Sequence, residues 1–224
     1  MAVTGATGRT NQKARTRKAI IDACRELAAS GGDVTMPQVA RLALVSEATA
    51  YRYFPDLVSL LRETLADLWP DAAQALAPVA GSADPAERVA FACEYLMRGV
   101  HAYQGSVRAM ISHTIVVPAR AAARPGIRFD LIDCALAPFQ RADEPAFLLP
   151  AAMANLKQDL AIVVSAEALF VLTDLCGLPL DDAIASAVRT ATTLTKAAFA
   201  AAPASPASPP ATPPNWPGQR DHRR

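Results

Sequence analysis

The chain has 224 residues, 52% of them hydrophobic, which is enough for one large domain or for a small domain joined to a larger one. Ala is abundant, aromatic residues make up only 6%, and β-branched residues do not alternate with polar ones, so the composition favours an all-α fold over a sheet protein. The net charge of +1 at pH 7 selects no partner for the chain as a whole.

Cysteine usage and the apolar stretches bear on the compartment. The four cysteines form no CxxC pair and lie within apolar helical patterns, as is typical of a reducing compartment: Cys24, Cys93, Cys134 and Cys176. Residues 1–18 are polar and basic and contain no apolar core of a signal peptide. The most apolar stretch, residues 160–172, is interrupted by Glu167 and is too short to span a bilayer. We therefore expect a cytoplasmic protein with no membrane partner.

The basic residues concentrate at the start of the chain. Residues 1–54 contain eight Lys or Arg against four Asp or Glu, an excess that fits nucleic-acid binding and also a solvated face or tail. Residues 1–12 are predicted to form a disordered basic arm. A first helix should run from Lys13 to Ala29 and end at the Gly-containing segment 30–32.

Two short helices with well-marked starts are predicted next. Thr35 is followed by Pro37 and Gln38, a capping box with Pro in the first turn. Ser46 provides a second N-cap eleven residues later, and a third helix should run to Phe54. The sequence therefore predicts a three-helix domain over residues 13–54.

Residues 55–202 are predicted to form a larger helical domain. It should begin with a long connecting helix that starts at Pro55-Asp56 and reaches Pro70, followed by helices over 85–103, 106–116, 129–139, 147–176 and 181–201. In the last two helices several apolar residues compete for one core, which predicts a surface shared between two copies: Leu169, Phe170, Leu172, Val188 and Leu194. Residues 203–224, rich in Pro, Ala and Ser, are predicted to be a disordered tail.

Helices 2 and 3 have the spacing of a DNA-binding helix-turn-helix. Ala40 is the small residue that lets the two helices cross closely, and the apolar positions that fix their angle are Val39, Ala43, Val45, Ala50 and Phe54. The residues left on the outward side of helix 3 are Glu47, Ala48, Thr49, Tyr51 and Arg52. On spacing alone, a generic bundle of small helices is an equally good interpretation.

The segment TMPQVARLALVSEATAYRYFPD, residues 35–56, resembles the N-terminal signature of the TetR family of bacterial transcriptional regulators. The specific part of the likeness covers about residues 15–65. The resemblance implies that the first three helices bind DNA, that the C-terminal domain binds a small ligand and that the last two helices form a homodimer. It further implies a repressor that binds palindromic operator DNA and is released by a small-molecule effector.

Candidate DNA-binding residues follow from the resemblance and from side-chain chemistry. Carried over by position, they are Thr35, Ser46, Glu47, Ala48, Thr49, Tyr51 and Arg52. Arg52 suits guanine or phosphate, and the hydroxyl of Tyr51 suits phosphate unless that side chain packs against helix 1. Basic residues at the head of helix 1 are candidates for nonspecific phosphate contacts: Arg15, Arg17 and Lys18.

The sequence departs from the family pattern at two positions. Leu44 stands where the family usually has Gly in the turn, so either Leu44 adopts an unusual backbone angle or the turn has a different shape. Leu57 stands where the family usually has a Lys that contacts the DNA backbone. Either Leu57 is exposed at the start of helix 4 or it packs inside the small domain. Helical spacing favours the exposed position, because Leu60, Leu61 and Leu65 already fill the core-facing side.

An effector pocket is expected between helices of the C-terminal domain, since bundle interiors commonly hold one. Its candidate residues, each more often an ordinary core residue, are Tyr95, Met97, His101, His113, Phe129 and Asp133. Neither His101 nor His113 lies in an HExxH motif or near a CxxC pair or Gly-rich loop. We therefore predict no catalytic residue, no metal site and no cofactor.

Two functions of different classes remain open from the sequence. The first is a ligand-responsive, DNA-binding dimer of the TetR type. The second is a helical interaction protein whose degenerate helix-turn-helix, with Leu44 and Leu57, no longer reads DNA. An all-helical small-molecule enzyme is a third and more remote interpretation.

Overall fold

The computed structural model describes residues 4–30, 34–66, 69–116, 124, 126–140 and 148–201. Their regular structure is helical, and no strand occurs among these residues. The predicted all-α fold is therefore confirmed. The predicted disordered tail, 203–224, lies outside the described residues. Within the same ranges, no helix combines the length and the apolar character needed to cross a membrane.

The N-terminal part consists of four helices: α1 (Thr4–Ala29), α2 (Met36–Leu42), α3 (Glu47–Tyr53) and α4 (Leu57–Ala66). Helix α1 begins nine residues before the predicted Lys13, so residues 4–12 are helical where the sequence predicted a disordered arm. Once the apolar part of a helix is formed, each further residue adds a hydrogen bond at low cost, which explains the extension. Helix α4 covers Leu57–Ala66, and residues 67–68 lie outside the described residues. Trp69 is not helical, because Pro70 disfavours helix at the residue before it.

The C-terminal part contains α5 (Ala72–Ala75), α6 (Pro85–Ala102), α7 (Gln104–Val116), α8 (Ile127–Leu136), α9 (Pro150–Val163), α10 (Ala166–Phe170) and α11 (Leu180–Ala200). Short 3₁₀ turns cover 77–79 and 137–140, and α10 continues into a π turn over 171–175. The predicted helix over 85–103 is confirmed by α6 to within one residue.

The predicted single helix over 147–176 is wrong, because the chain breaks between α9 and α10. Val164 leaves the helical region with ψ 70°, and Ser165 is extended, with φ −151° and ψ 153°. The Ser165 hydroxyl accepts a hydrogen bond from the Ala168 N–H at 3.0 Å. Ser165 therefore acts as the N-cap of a new helix. This hydrogen bond from the backbone to its side chain competes with the backbone hydrogen bonds of a continuous helix.

The molecule has two apolar cores. The first joins α1–α4 and includes Ile20, Val39 and Leu61, together with Met110 from α7. The second joins α5–α11 and is organised around α6, which packs against both α8 and α11. Small residues of α11, Ala183 among them, are fully buried in this second core. The cores meet where α7 reaches the N-terminal helices.

A buried arginine ties three segments of the second part together. Arg88 of α6 is only 4% exposed, and its partners are main-chain carbonyls. It donates hydrogen bonds to Val79 and Ala80 near the 3₁₀ turn, at 2.7 and 2.9 Å, and to Cys134 and Ala135 near the end of α8, at 3.0 and 2.8 Å. The last carbonyls of a helix carry partial negative charge, so the guanidinium satisfies groups that the helix itself leaves unpaired.

The apolar residues predicted to form a surface shared between copies are used differently. Leu169 is buried, and Phe170, Leu172, Val188 and Leu194 are half-buried against the core of their own chain. The large apolar side chains that are exposed in this region are Leu149, Ile162, Val171 and Leu175, at 52%, 73%, 48% and 80% exposure.

Candidate nucleic-acid interface and neighbouring cavity

Helices α2 and α3 begin where the sequence predicted. The Gln38 N–H donates to Thr35 Oγ1 at 3.4 Å, while the Thr35 hydroxyl donates to Gln38 Oε1 at 2.7 Å. At α3, the Thr49 N–H donates to Ser46 Oγ at 3.2 Å. Both N-caps are confirmed, so the two short helices are specified locally at their first turns.

The inner face of the helix pair also matches the sequence prediction. Ala40 is 1% exposed, and Val39, Ala50 and Phe54 are buried with it in the first core. Ala43 and Val45 pack at the edge of that core. The small side chain of Ala40 thus lies where α2 and α3 approach each other.

The turn between α2 and α3 resolves the question about Leu44. Leu44 has φ 56°, in the left-handed region that favours Gly, and its side chain is 92% exposed. The Leu44 N–H donates to Arg41 O at 3.2 Å, and the Val45 N–H donates to Ala40 O at 3.0 Å. These two bonds form a Schellman motif, so the turn keeps a glycine geometry with leucine in place.

The outward side chains of α3 are free of the core. Glu47, Ala48, Tyr51 and Arg52 are exposed, and Tyr51 is 47% exposed. The Arg52 guanidinium lies 5.8 Å from the centroid of the Tyr53 ring. This face presents hydroxyl and guanidinium groups to an external partner.

An open groove separates the start of α1 from α3. Its lining consists of Gln12, Lys13, Thr16, Val45, Ser46, Thr49, Arg52 and Tyr53. Three predicted DNA-binding residues, Ser46, Thr49 and Arg52, therefore lie along one wall. Lys13 lies on the opposite wall and was not selected from the sequence as a site residue. The sequence could have identified Lys13, because it lies three residues before Thr16 and therefore on the same face of α1.

The other basic candidates on α1 lie elsewhere. Arg15 and Lys18 are exposed but do not line the groove, and Lys18 Nζ lies 2.6 Å from Asp22 Oδ2. Arg17 was expected to contact phosphate, but its guanidinium pairs with the Glu63 carboxylate of α4. It also lies 5.0 Å from the centroid of the Phe54 ring. The hydrogen bonds that Arg17 donates to the Glu63 carboxylate raise the pKa of Arg17, and this cation joins α1 to α4.

The prediction that Leu57 is exposed is wrong. Leu57 is 7% exposed and belongs to the first core, as do Val58, Leu60 and Leu61. The core-facing side of α4 is therefore wider than helical spacing around Leu60 and Leu61 suggested, because α4 is covered by both α1 and α7. The start of α4 is held by Asp56, whose Oδ1 accepts a hydrogen bond from the Ser59 N–H at 2.8 Å.

A small cavity lies close to this domain, between α4, α6, α7, α8 and α10. It has a volume of 80 Å³ and is lined mainly by Leu65, Trp69, Leu96, Val100, Val107, Met110, Ile111 and Ile127. Leu65 and Met110 belong at the same time to the first core. The cavity therefore shares side chains with the core formed by α1–α4.

Three charged side chains also line the cavity: Arg124, Arg128 and Glu167. The Glu167 carboxylate accepts from Arg124 at 2.5 Å and lies 3.7 Å from Arg128. None of the three was chosen as a site residue from the sequence. The sequence did contain a signal for Glu167, because it is the one charged residue inside the apolar stretch 160–172.

The six residues predicted to line an effector pocket contribute nothing to the lining formed by the described residues. Four of them, His101, His113, Phe129 and Asp133, are exposed, and Asp133 forms an ion pair with Lys157 at 2.7 Å. Met97 is fully buried in the second core, and Tyr95 packs beside Trp69 with 6.2 Å between ring centroids. Burial raises the pKa of the Tyr95 hydroxyl.

Over the ranges that the structure describes, no group of three or more His, Cys, Asp or Glu side chains is placed to hold a metal ion. No protein-family model matches the chain, and a search of curated proteins finds no match.

Proposed function

We propose that the protein is a TetR-like transcriptional repressor that binds palindromic operator DNA as a homodimer and is released by a small-molecule effector. The observation that supports this most directly is the groove between α1 and α3. It combines Lys13 with Ser46, Thr49 and Arg52 on a helix-turn-helix whose caps, small crossing residue and turn all have the expected geometry. Cationic and hydroxyl groups of this kind contact phosphates and base edges.

The DNA contacts are tested by fluorescence anisotropy on the promoter region that adjoins the protein's own gene. Arg52→Ala should weaken binding by roughly 1–3 kcal/mol if Arg52 contacts a base, and by less if it meets only phosphate. Tyr51→Phe should also weaken it by removal of a hydroxyl. Arg98→Ala, an exposed arginine of α6, is the matched control and should leave affinity unchanged. Unchanged affinity for both α3 variants would contradict the proposed recognition face.

The alternative is a helical interaction protein whose helix-turn-helix no longer reads DNA. The exposed Leu44 side chain favours this second function, because an apolar group projects from the turn between α2 and α3. The same anisotropy experiment separates the two functions. Absence of salt-dependent binding to any duplex would exclude the DNA-binding proposal, since phosphate contacts make such binding depend on salt.

The proposed dimer places its interface on the C-terminal helices. Ile162, Val171 and Leu175 expose apolar surface on the isolated chain. A dimer with two-fold symmetry would bury these side chains in both copies. Sedimentation at micromolar concentration should show a dimer. Leu175→Glu should shift it towards monomer, whereas Ile115→Glu, at a similarly exposed position on α7, should not. A monomeric wild-type protein would contradict this part of the proposal.

The proposed effector site is the 80 Å³ cavity. Because Leu65 and Met110 line it and also pack in the first core, an occupant that moves them changes the packing of α4 against α1. Arg17 and Glu63 link the same two helices. Effector binding is thereby coupled to the placement of the helix-turn-helix, provided that the two states of the core differ in affinity for the effector.

A further inference from the structure

Among the residues that the structure describes, the charges lining the cavity are unbalanced. Arg124 and Arg128 contribute two positive charges to the lining, and Glu167 contributes one negative charge. The side chains of both arginines are about three-quarters buried, with 23% and 25% exposure. Buried charges are stable when they are paired, so the lining has the capacity for one more anion.

Arg128 has more spare donors than Arg124. Each guanidinium nitrogen of Arg124 already has a partner: its Nε donates to Thr114 Oγ1 at 2.6 Å, one terminal nitrogen donates to Glu167, and the other to Ile111 O at 3.5 Å. Arg128 donates one hydrogen bond, to Ala161 O at 3.0 Å, and lies 3.7 Å from Glu167 Oε2. That oxygen is buried and has no hydrogen-bond donor within the described part of the chain. The ion pair between Arg128 and Glu167 is therefore weak, since no hydrogen bond joins the two side chains.

The size of the cavity limits the apolar part of an occupant. Its 80 Å³ is well below the volume of about 150 Å³ that holds a benzene molecule in an engineered cavity. The enclosed space is therefore smaller than an aromatic ring needs, and it suits a short alkyl chain beside Leu65, Val107 and Met110.

Two ion pairs border the cavity. One joins α7 to the π turn that follows α10, and the other joins Arg124 to α10. Arg108 of α7 makes two hydrogen bonds to Asp174, at 2.6 and 2.9 Å, and lies 3.8 Å from the Phe170 ring centroid. These contacts hold the pKa of the Asp174 carboxyl below its usual value. The Arg124–Glu167 pair makes the other connection. Because these contacts already hold the lining in place, ligand binding costs little conformational entropy.

We propose that this cavity binds a short-chain aliphatic carboxylate, with the carboxylate on the guanidinium of Arg128 and the alkyl chain in the apolar space. The proposal rests on the proposed function, since it names the class of effector for the same site. A guanidinium offers paired, parallel donors that match the two oxygens of a carboxylate. Glu167 competes for the same cation, so the ligand displaces the loose contact between Arg128 and Glu167.

The test uses the full chain with Trp216→Phe, so that emission reports Trp69, which lines the cavity and is the other of the two tryptophans. Butyrate should change the Trp69 emission saturably and protect it from acrylamide. Acetate should bind about tenfold more weakly, because two buried methylene groups are lost. Butylamine and butan-1-ol, which have the same chain without the negative charge, should give no saturable change.

Single substitutions test whether butyrate binds in this cavity. Arg128→Gln should weaken butyrate binding at least tenfold, and Glu167→Gln should strengthen it because the competing charge is removed. Arg98→Gln, remote from the cavity, is the matched control and should bind as the parent does. If Arg128→Gln does not fold, Ile111→Phe decides, since it keeps all three charges while filling the cavity and should abolish binding.

The proposal is overturned if butyrate gives no saturable change, if butylamine binds equally well, or if Arg128→Gln or Ile111→Phe binds butyrate normally. DNA affinity measured without butyrate separates this failure from that of the proposed function. Retained DNA binding with no butyrate binding would reject only the ligand class. Butyrate binding without any DNA binding would reject the regulator and keep the site.

Discussion

The indole ring of Trp69 lies directly against the α-carbon of Gly99, so that a methyl group at Gly99 would overlap the ring. Trp69 follows α4 and Gly99 lies inside α6, and the same indole forms part of the cavity wall. The absence of a side chain at Gly99 therefore determines how closely the segment after α4 approaches the second core.

Gly99→Ala is expected to destabilise the protein, although Ala normally stabilises a helix interior by about 1 kcal/mol relative to Gly. Displacement of a large ring by a forced contact typically costs about 1–3 kcal/mol, which outweighs that gain. Urea unfolding measures the difference. Gly81→Ala is the control, because a methyl group there meets nothing within 4 Å. A more stable Gly99→Ala variant would show that Trp69 moves away freely.

Arg88→Met should lower the free energy of unfolding by about 2 kcal/mol or more. Methionine replaces the apolar stem of Arg88 but removes the donor from the carbonyls of Cys134 and Ala135 near the end of α8, and each buried group left unpaired costs roughly 1–3 kcal/mol. The carbonyls of Val79 and Ala80 also lose a donor, although Val79 O still accepts from the Ser82 N–H at 3.1 Å. Chemical denaturation is the measurement. The exposed Arg98, whose partners are surface carboxylates, gives the comparison, and Arg98→Met should have no measurable effect. Equal stabilities of the two variants would contradict the role of Arg88.

Leu44→Gly should stabilise the protein by about 1 kcal/mol, because it removes the cost of a branched side chain in the left-handed region. Little packing is lost, since Leu44 is 92% exposed. Leu44→Ala is the control and should gain nothing comparable, as alanine retains the same backbone cost. Thermal unfolding of the three proteins checks this. If the alanine and glycine variants are equally stabilised, the leucine side chain and not the backbone is responsible.

Leu57→Lys is expected to destabilise the first core by roughly 2–4 kcal/mol, since an ammonium group would replace a buried side chain without an anionic partner. Melting temperature and DNA affinity should be measured together. Arg62→Lys keeps a cation on the exposed side of α4 and should leave the melting temperature unchanged. An unchanged melting temperature with a dependence of log K on log salt steeper by about 0.9 would instead place residue 57 against a phosphate.

Helices α2 and α3 and the turn between them were predictable because their signals are local. Thr35 and Ser46 cap helices within three residues of themselves, and Ala40 marks the close crossing. The break at Ser165 was equally local but was missed, because the apolar residues on both sides outweighed one N-cap signal. Leu57 was misplaced for a different reason: the width of the buried face of α4 depends on α1 and α7, which pack on it from distant parts of the chain.

By itself, the sequence determined the helical class, the starts of α2 and α3, and the position of the turn at Leu44. Caps and turn geometry act within about five residues, and apolar periodicity acts within a single helix. Only the tertiary structure decided that Arg88 is buried against carbonyls of two other segments, and that Glu167 meets Arg124 and Arg128 beside an apolar cavity. The partners of Arg88 on α8 and those of Glu167 are about 40 residues or more away along the chain. Their meeting depends on how α6, α8 and α10 pack, which no local pattern specifies.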